Sequence, residues 1–152
     1  MPEAPTSVGA FFFATSCHGL SAVKFTIVLH AAPYTSQASH SALRFAQAAL
    51  SAGHEIVRVF FYYDGVHNCN EFSVAPQDEI DLVKAWSSLL QAHNIDAVTC
   101  VSSAMKRGIV DEREAKRHEL RSHNLQAPSV LSGLGQLVDA SLASDRTISF
   151  GA

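Results

Sequence analysis

From residue 24 onward, short and nearly continuous apolar runs alternate with longer amphipathic ones, and this alternation constrains the fold more than any other feature. Strand-like runs separated by helix-like runs specify a parallel sheet with crossover helices. KFTIVLH reads as a first buried strand, followed by the turn-rich AAPYTS. QASHSALRFAQAALSA then places Ala38, Ala42, Phe45, Ala46, Ala49 and Leu50 on one helical face, with Ser36 as N-cap and Gly53 as the stop. HEIVRVFFYY is apolar or aromatic almost throughout, the signature of a strand covered on both faces. A loop of about fifteen residues is expected from Asp64-Gly65 through VHNCNEFSVAPQ, long enough to suggest a functional role. DEIDLVKAWSSLLQAHN repeats apolar residues at Ile80, Val83, Trp86 and Leu90, with Asp78 placed to cap its start and Asn94 its end. DAVTCV is a third strand, SGLGQLVDASLAS a helix with Leu134, Leu137, Val138, Ser141 and Leu142 at helical spacing, and DRTISFG a last strand.

The chain of 152 residues is long enough for one domain with a substantial core, needing neither disulfides nor a structural metal. That domain is expected over residues 23–152. Residues 1–22 read as an extension, with Val23 standing where an initiator residue would if the start lay downstream. A secretory signal is a poor reading of them, because no Lys or Arg precedes Lys24 and Glu3 sits where such a signal is basic. No run approaches the roughly 18 apolar residues of a membrane span. The net charge of −3, with no basic block longer than Lys106-Arg107, argues against direct binding of nucleic acid. Cys17, Cys69 and Cys100 form no CxxC pair and leave an odd count, which points to a reducing, cytoplasmic setting.

Cys100 is the foremost candidate for chemistry. It stands at the carboxyl end of a predicted strand, where reactive groups of α/β sheets gather, and small residues Ser102, Ser103 and Ala104 leave room for a partner. Lys106 and Arg107 would favour its thiolate if the chain folds back. The competing reading is a buried structural cysteine. Cys69, in the polar GVHNCNEF, is expected to be exposed but has no visible activating group. His118 and His123 are spaced i, i+5, about 140° apart on a helix, so they do not share a metal-binding face. Gly133 and Gly135 form only a fragment of a dinucleotide fingerprint, and helix capping with close packing accounts for them better. Neither a metal nor a cofactor is expected.

Together, VRVFFYYDGV, the Cys100-to-KRGIVDE segment and SGLGQL resemble the TusD/DsrE family of sulfur-relay proteins, over essentially everything from Val23 to Gly151. The resemblance implies a flavodoxin-like, three-layer α/β fold with a mostly parallel sheet and helices on both faces. It puts the family's reactive cysteine at Cys100, which would accept sulfane sulfur from a TusA-like donor as a persulfide. A TusE-like acceptor would carry the sulfur toward 2-thiouridine at the tRNA wobble position. It also implies a cytoplasmic dimer of heterotrimers with TusB-like and TusC-like subunits. Two alternatives stay open: a DsrE-type subunit of dissimilatory sulfur oxidation, and a non-catalytic assembly subunit.

Overall fold

The computed structural model describes residues 21–151. Residues 1–20 of the expected extension, Cys17 included, lie outside the described residues. The elements are β1 (Lys24–Leu29), α1 (Ala38–Ser51), β2 (Glu55–Phe61), α2 (Leu82–Ala92), β3 (Asp96–Cys100), α3 (Val101–Met105), α4 (Glu112–Arg117), β4 (Val130–Ser132), α5 (Gly135–Ala143) and β5 (Arg146–Phe150). All strand pairs are parallel, in the order β4-β3-β2-β1-β5.

That order dictates the layers. From β1 to β4 the chain steps across the sheet in one direction, so right-handed crossovers put α1, α2 and α3 on one face. The return from β4 to β5 reverses direction and carries α5 across the other face, where it packs on β1 and β2.

Strand alternation divides the core accordingly. Ile27, Leu29, Val59, Phe61 and Ala97 point toward α1 and α2. There Phe61 meets the buried Trp86 edge to face, with ring centroids 5.8 Å apart. Burial of a side chain such as Phe61 is worth about 2 kcal/mol or more. The opposite face holds a small cluster of Phe60, Val98 and Cys100, with Tyr62 and Leu137 packed against it.

The helix α5 is anchored mainly by its backbone. Thr26 Oγ1 donates to the Ala140 carbonyl at 3.1 Å, and Arg58, held by Asp96, donates to the Gln136 carbonyl. Ala140 is its one buried residue, whereas Leu134, Val138 and Leu142 face outward, Leu142 being 82% exposed.

Several sequence expectations need correction at their edges. The capping residue of α2 is Asp81, whose carboxylate accepts from the Lys84 amide at 3.1 Å, and not Asp78; Ile80 lies before the helix and is exposed. The stops behave as expected, since Gly53 and Asn94 follow α1 and α2 in left-handed conformations. Part of the presumed loop after β2 is a 3-10 helix over Tyr63–Cys69. The short edge strand β4 and the short helices α3 and α4 have no counterpart among the elements expected from the sequence.

Candidate functional site

Cys100 ends β3, and its backbone serves as the N-cap of α3 while its side chain makes no capping hydrogen bond. The next strand over, β4, is followed by α5 on the opposite face. Adjacent strands whose following loops diverge leave a crevice at their carboxyl ends, the usual ligand position in open α/β sheets. A cavity of about 420 Å³ occupies it, lined by Tyr62, Tyr63, Cys100, Lys106, Arg107 and Leu134 among others. Cys100 is only 3% exposed, packed on Phe60 and Val98, yet it borders this cavity. Core packing and access to a visiting group coexist at the one residue.

The Lys106-Arg107 pair divides into two roles. Arg107 is engaged: its Nε donates to Asp64 at 2.7 Å and its Nη1 to the Ser103 carbonyl at 3.2 Å, tying the end of α3 to the 3-10 helix. Lys106 is exposed and, among the described residues, has no carboxylate within ion-pair distance. It is the uncompensated positive charge on the cavity wall.

Two further wall residues were missed as site residues in the sequence, although VFFYYDGV contains them. Tyr62 and Tyr63 stack with centroids 4.2 Å apart, and the His30 ring meets Tyr62 edge-on at 5.7 Å. Tyr63 has φ 45°, an uncommon left-handed conformation for a bulky residue, of the kind that concentrates at functional sites. The neighbouring Tyr63 phenol is the main reason that Tyr62 ionises above the ordinary phenol range, with desolvation and the Cys100 sulfur adding to it.

Cys69, expected to be exposed, is buried at 3% exposure. The 3-10 helix folds the segment back beneath the sheet, and the Cys69 carbonyl accepts from the Gln126 amide at 2.8 Å. Burial pushes its thiol up to about 11, against the opposing hydrogen bonds of Thr99 and Ser129. The space beside it measures about 10 Å³, room for no more than a water.

His118 ends α4 with Nε2 3.6 Å from the buried Glu114 carboxylate, and the helix stops before His123, so the two histidines do not share a helix. Among the described residues, no group of three His, Cys, Asp or Glu is placed to hold a metal ion. Gly133 and Gly135 are not explained by close packing, because a Cβ at either would meet open space. Among the described residues no helix is long and apolar enough to cross a membrane.

A parallel α/β sheet with a buried cysteine facing a cavity at its carboxyl edge is the class that fold and site define. The DsrE/DsrF-like family matches residues 23–150, and the chain belongs to that family. A DsrE protein of Allochromatium vinosum is 46% identical over 129 residues, covering 85% of this chain and 99% of its own length. A sulfurtransferase TusD homolog of Pseudomonas aeruginosa is 48% identical, with coverage of 85% and 98%. The crystal structure of the ychN protein from E. coli superposes with a TM-score of 0.68 at 22% identity, covering 84% of this chain and 99% of that one, and shares the fold.

Proposed function

We propose that this sulfurtransferase relays sulfane sulfur as a persulfide on Cys100, within the domain spanning residues 23–152. The observation that carries the proposal is the contrast in access. Cys100 opens on a cavity with a free lysine on its wall, whereas Cys69 is sealed and held protonated.

In the accepting step the Cys100 thiolate forms a bond to the outer sulfur of the donor's persulfide. The donor's S–S bond breaks, its electron pair leaves on the donor sulfur as a thiolate, and the outer sulfur keeps its proton. No external oxidant or reductant is needed. Lys106 favours the anionic sulfur on both sides of the exchange.

The physiological setting we infer is cytoplasmic, with a TusA-like donor, a TusE-like acceptor, and 2-thiouridine at the tRNA wobble position as the end product. TusB-like and TusC-like subunits would complete a dimer of heterotrimers. The outward-facing Leu134, Val138 and Leu142 support an assembled state, since obligate complexes cover such surfaces. Leu134 also lines the Cys100 cavity, so a subunit seated on α5 would adjoin the thiol.

The near-equal identities to a TusD homolog and to a DsrE protein favour keeping a second reading, service in dissimilatory sulfur oxidation. Loading the protein from a cysteine desulfurase and a carrier, followed by peptide mass spectrometry, tests the chemistry. One added sulfur, about 32 Da, is expected on the Cys100 peptide. Sulfur on Cys69, or on neither, rejects the proposal. Loss of wobble 2-thiouridine on deletion of the gene selects the first setting, and its persistence selects the second.

A further inference from the structure

The cavity presents a polar group that the relay chemistry has not yet used, the Tyr62 hydroxyl. Phe61 pairs with Thr99, so Tyr62 and Cys100 come next on neighbouring strands. Both point to the α5 face, because Phe60 and Val98, two residues earlier, do so. Tyr62 packs against the Phe60, Val98 and Cys100 cluster and lines the same cavity as the thiol.

Its placement is fixed from both ends. The Tyr62 amide donates to the Leu29 carbonyl at 2.9 Å, and its carbonyl accepts from Gly65 at 2.8 Å. Gly65 approaches β1 so closely that a Cβ there would lie 1.9 Å from the Leu29 oxygen, which admits no other residue without movement. Between them stand Tyr63, with its left-handed backbone, and Asp64, clasped by Arg107. Four consecutive residues are thereby constrained around the aromatic wall of the cavity.

We infer that Tyr62 is a second catalytic residue, whose hydroxyl donates a hydrogen bond to the terminal sulfur of the Cys100 persulfide. This inference rests on the proposed relay. After loading, the terminal sulfur gives up its proton to solvent, and in the outgoing step the acceptor's thiolate attacks that sulfur and the new S–S bond forms from its electron pair. The Cys100–sulfur bond breaks with its pair remaining on Cys100, and the transferred sulfur keeps its negative charge. A donor at the terminal sulfur reduces the repulsion between the two anions as they meet. Because Tyr62 ionises above the ordinary phenol range, its proton is in place throughout neutral pH. The other titratable groups around it are Tyr63, His30, Lys106 and the Arg107–Asp64 pair, while the cavity residues from the β4–α5 side, Gly133 and Leu134, carry no charge.

The test compares wild type, Tyr62→Phe and Tyr63→Phe after sulfur loading. Alkylation of the Cys100 persulfide by iodoacetamide is followed against pH, and sulfur release to dithiothreitol is timed. Tyr62→Phe should keep the melting temperature, move the alkylation midpoint up by about one pH unit, and slow release about tenfold. Tyr63→Phe should not raise the midpoint. If Tyr62→Phe superposes on wild type, or if the shift belongs to Tyr63→Phe, the inference is wrong. Should Tyr62→Phe fail to fold, a fluorinated tyrosine at position 62 gives a more acidic donor of the same shape. The midpoint must then move down, and an unmoved midpoint overturns the inference. A wild type that accepts no sulfur overturns the relay and this inference together, whereas normal loading with an unshifted Tyr62→Phe overturns only the latter.

Discussion

On one face of the sheet Cys69 lies in a continuous core with Phe61 and Trp86, beneath α1 and α2. On the other, Cys100 sits in a three-residue cluster beside a single nine-residue helix that packs Leu137 against it while Val138 and Leu142 point away. The two thiols are equally buried by area, at 3% exposure each. What separates them is the space in front of the sulfur, about 10 Å³ against about 420 Å³. Burial of a cysteine therefore says little about its chemistry until the neighbouring void and charges are known.

The largest expected break in this comparison is functional. Cys100→Ser should abolish sulfur loading while preserving the circular dichroism spectrum, and Cys69→Ser should load normally; loading lost only in Cys69→Ser would reverse the assignment. Next comes the closed face, where Trp86→Ala should lower the unfolding free energy by about 3–5 kcal/mol in urea titration.

A smaller effect concerns alkaline pH. The Cys69 thiol is raised from 9.0 to about 11 in the folded chain. Between those values the native state holds a proton that the unfolded chain has lost. Stability should fall as pH rises through this window, by at most about 2 kcal/mol. Cys69→Ala should flatten that segment of a stability-versus-pH curve, and an unchanged slope would place the alkaline loss elsewhere. The smallest effect is expected at the open face: Leu142→Ala should alter the stability of the isolated chain by less than about 0.5 kcal/mol. A larger loss there would mean that α5 is held by its apolar residues and not by Thr26 and Arg58.

The alternation of apolar and amphipathic runs was enough to read a parallel α/β sheet, because buried parallel strands such as VRVFF have a composition that few other elements share. The edge strand β4 escaped because three residues carry no readable period. Cys69 was misjudged because its polar sequence neighbours suggested solvent, while the 3-10 helix turns the cysteine inward beside Asn68, itself buried and hydrogen-bonded to the Ala31 and Gly65 carbonyls. Cys100 could be placed at a strand end from pattern alone. The separate fates of Lys106 and Arg107 could not, since they depend on Asp64, 43 positions before Arg107.

The position of β5 adds a matter of timing. It pairs with β1, and the Lys24 amide reaches the Asp145 carboxylate across 121 positions of sequence. Contacts of that separation form late in folding, and during synthesis they must wait for the last part of the chain to emerge. Leu134 and Leu137, which shield Cys100, belong to the same late segment. Between the synthesis of residue 100 and the docking of that last segment, the Cys100 sulfur of a growing polypeptide is thus uncovered, and it meets oxidants and stray thiols before it meets its own wall.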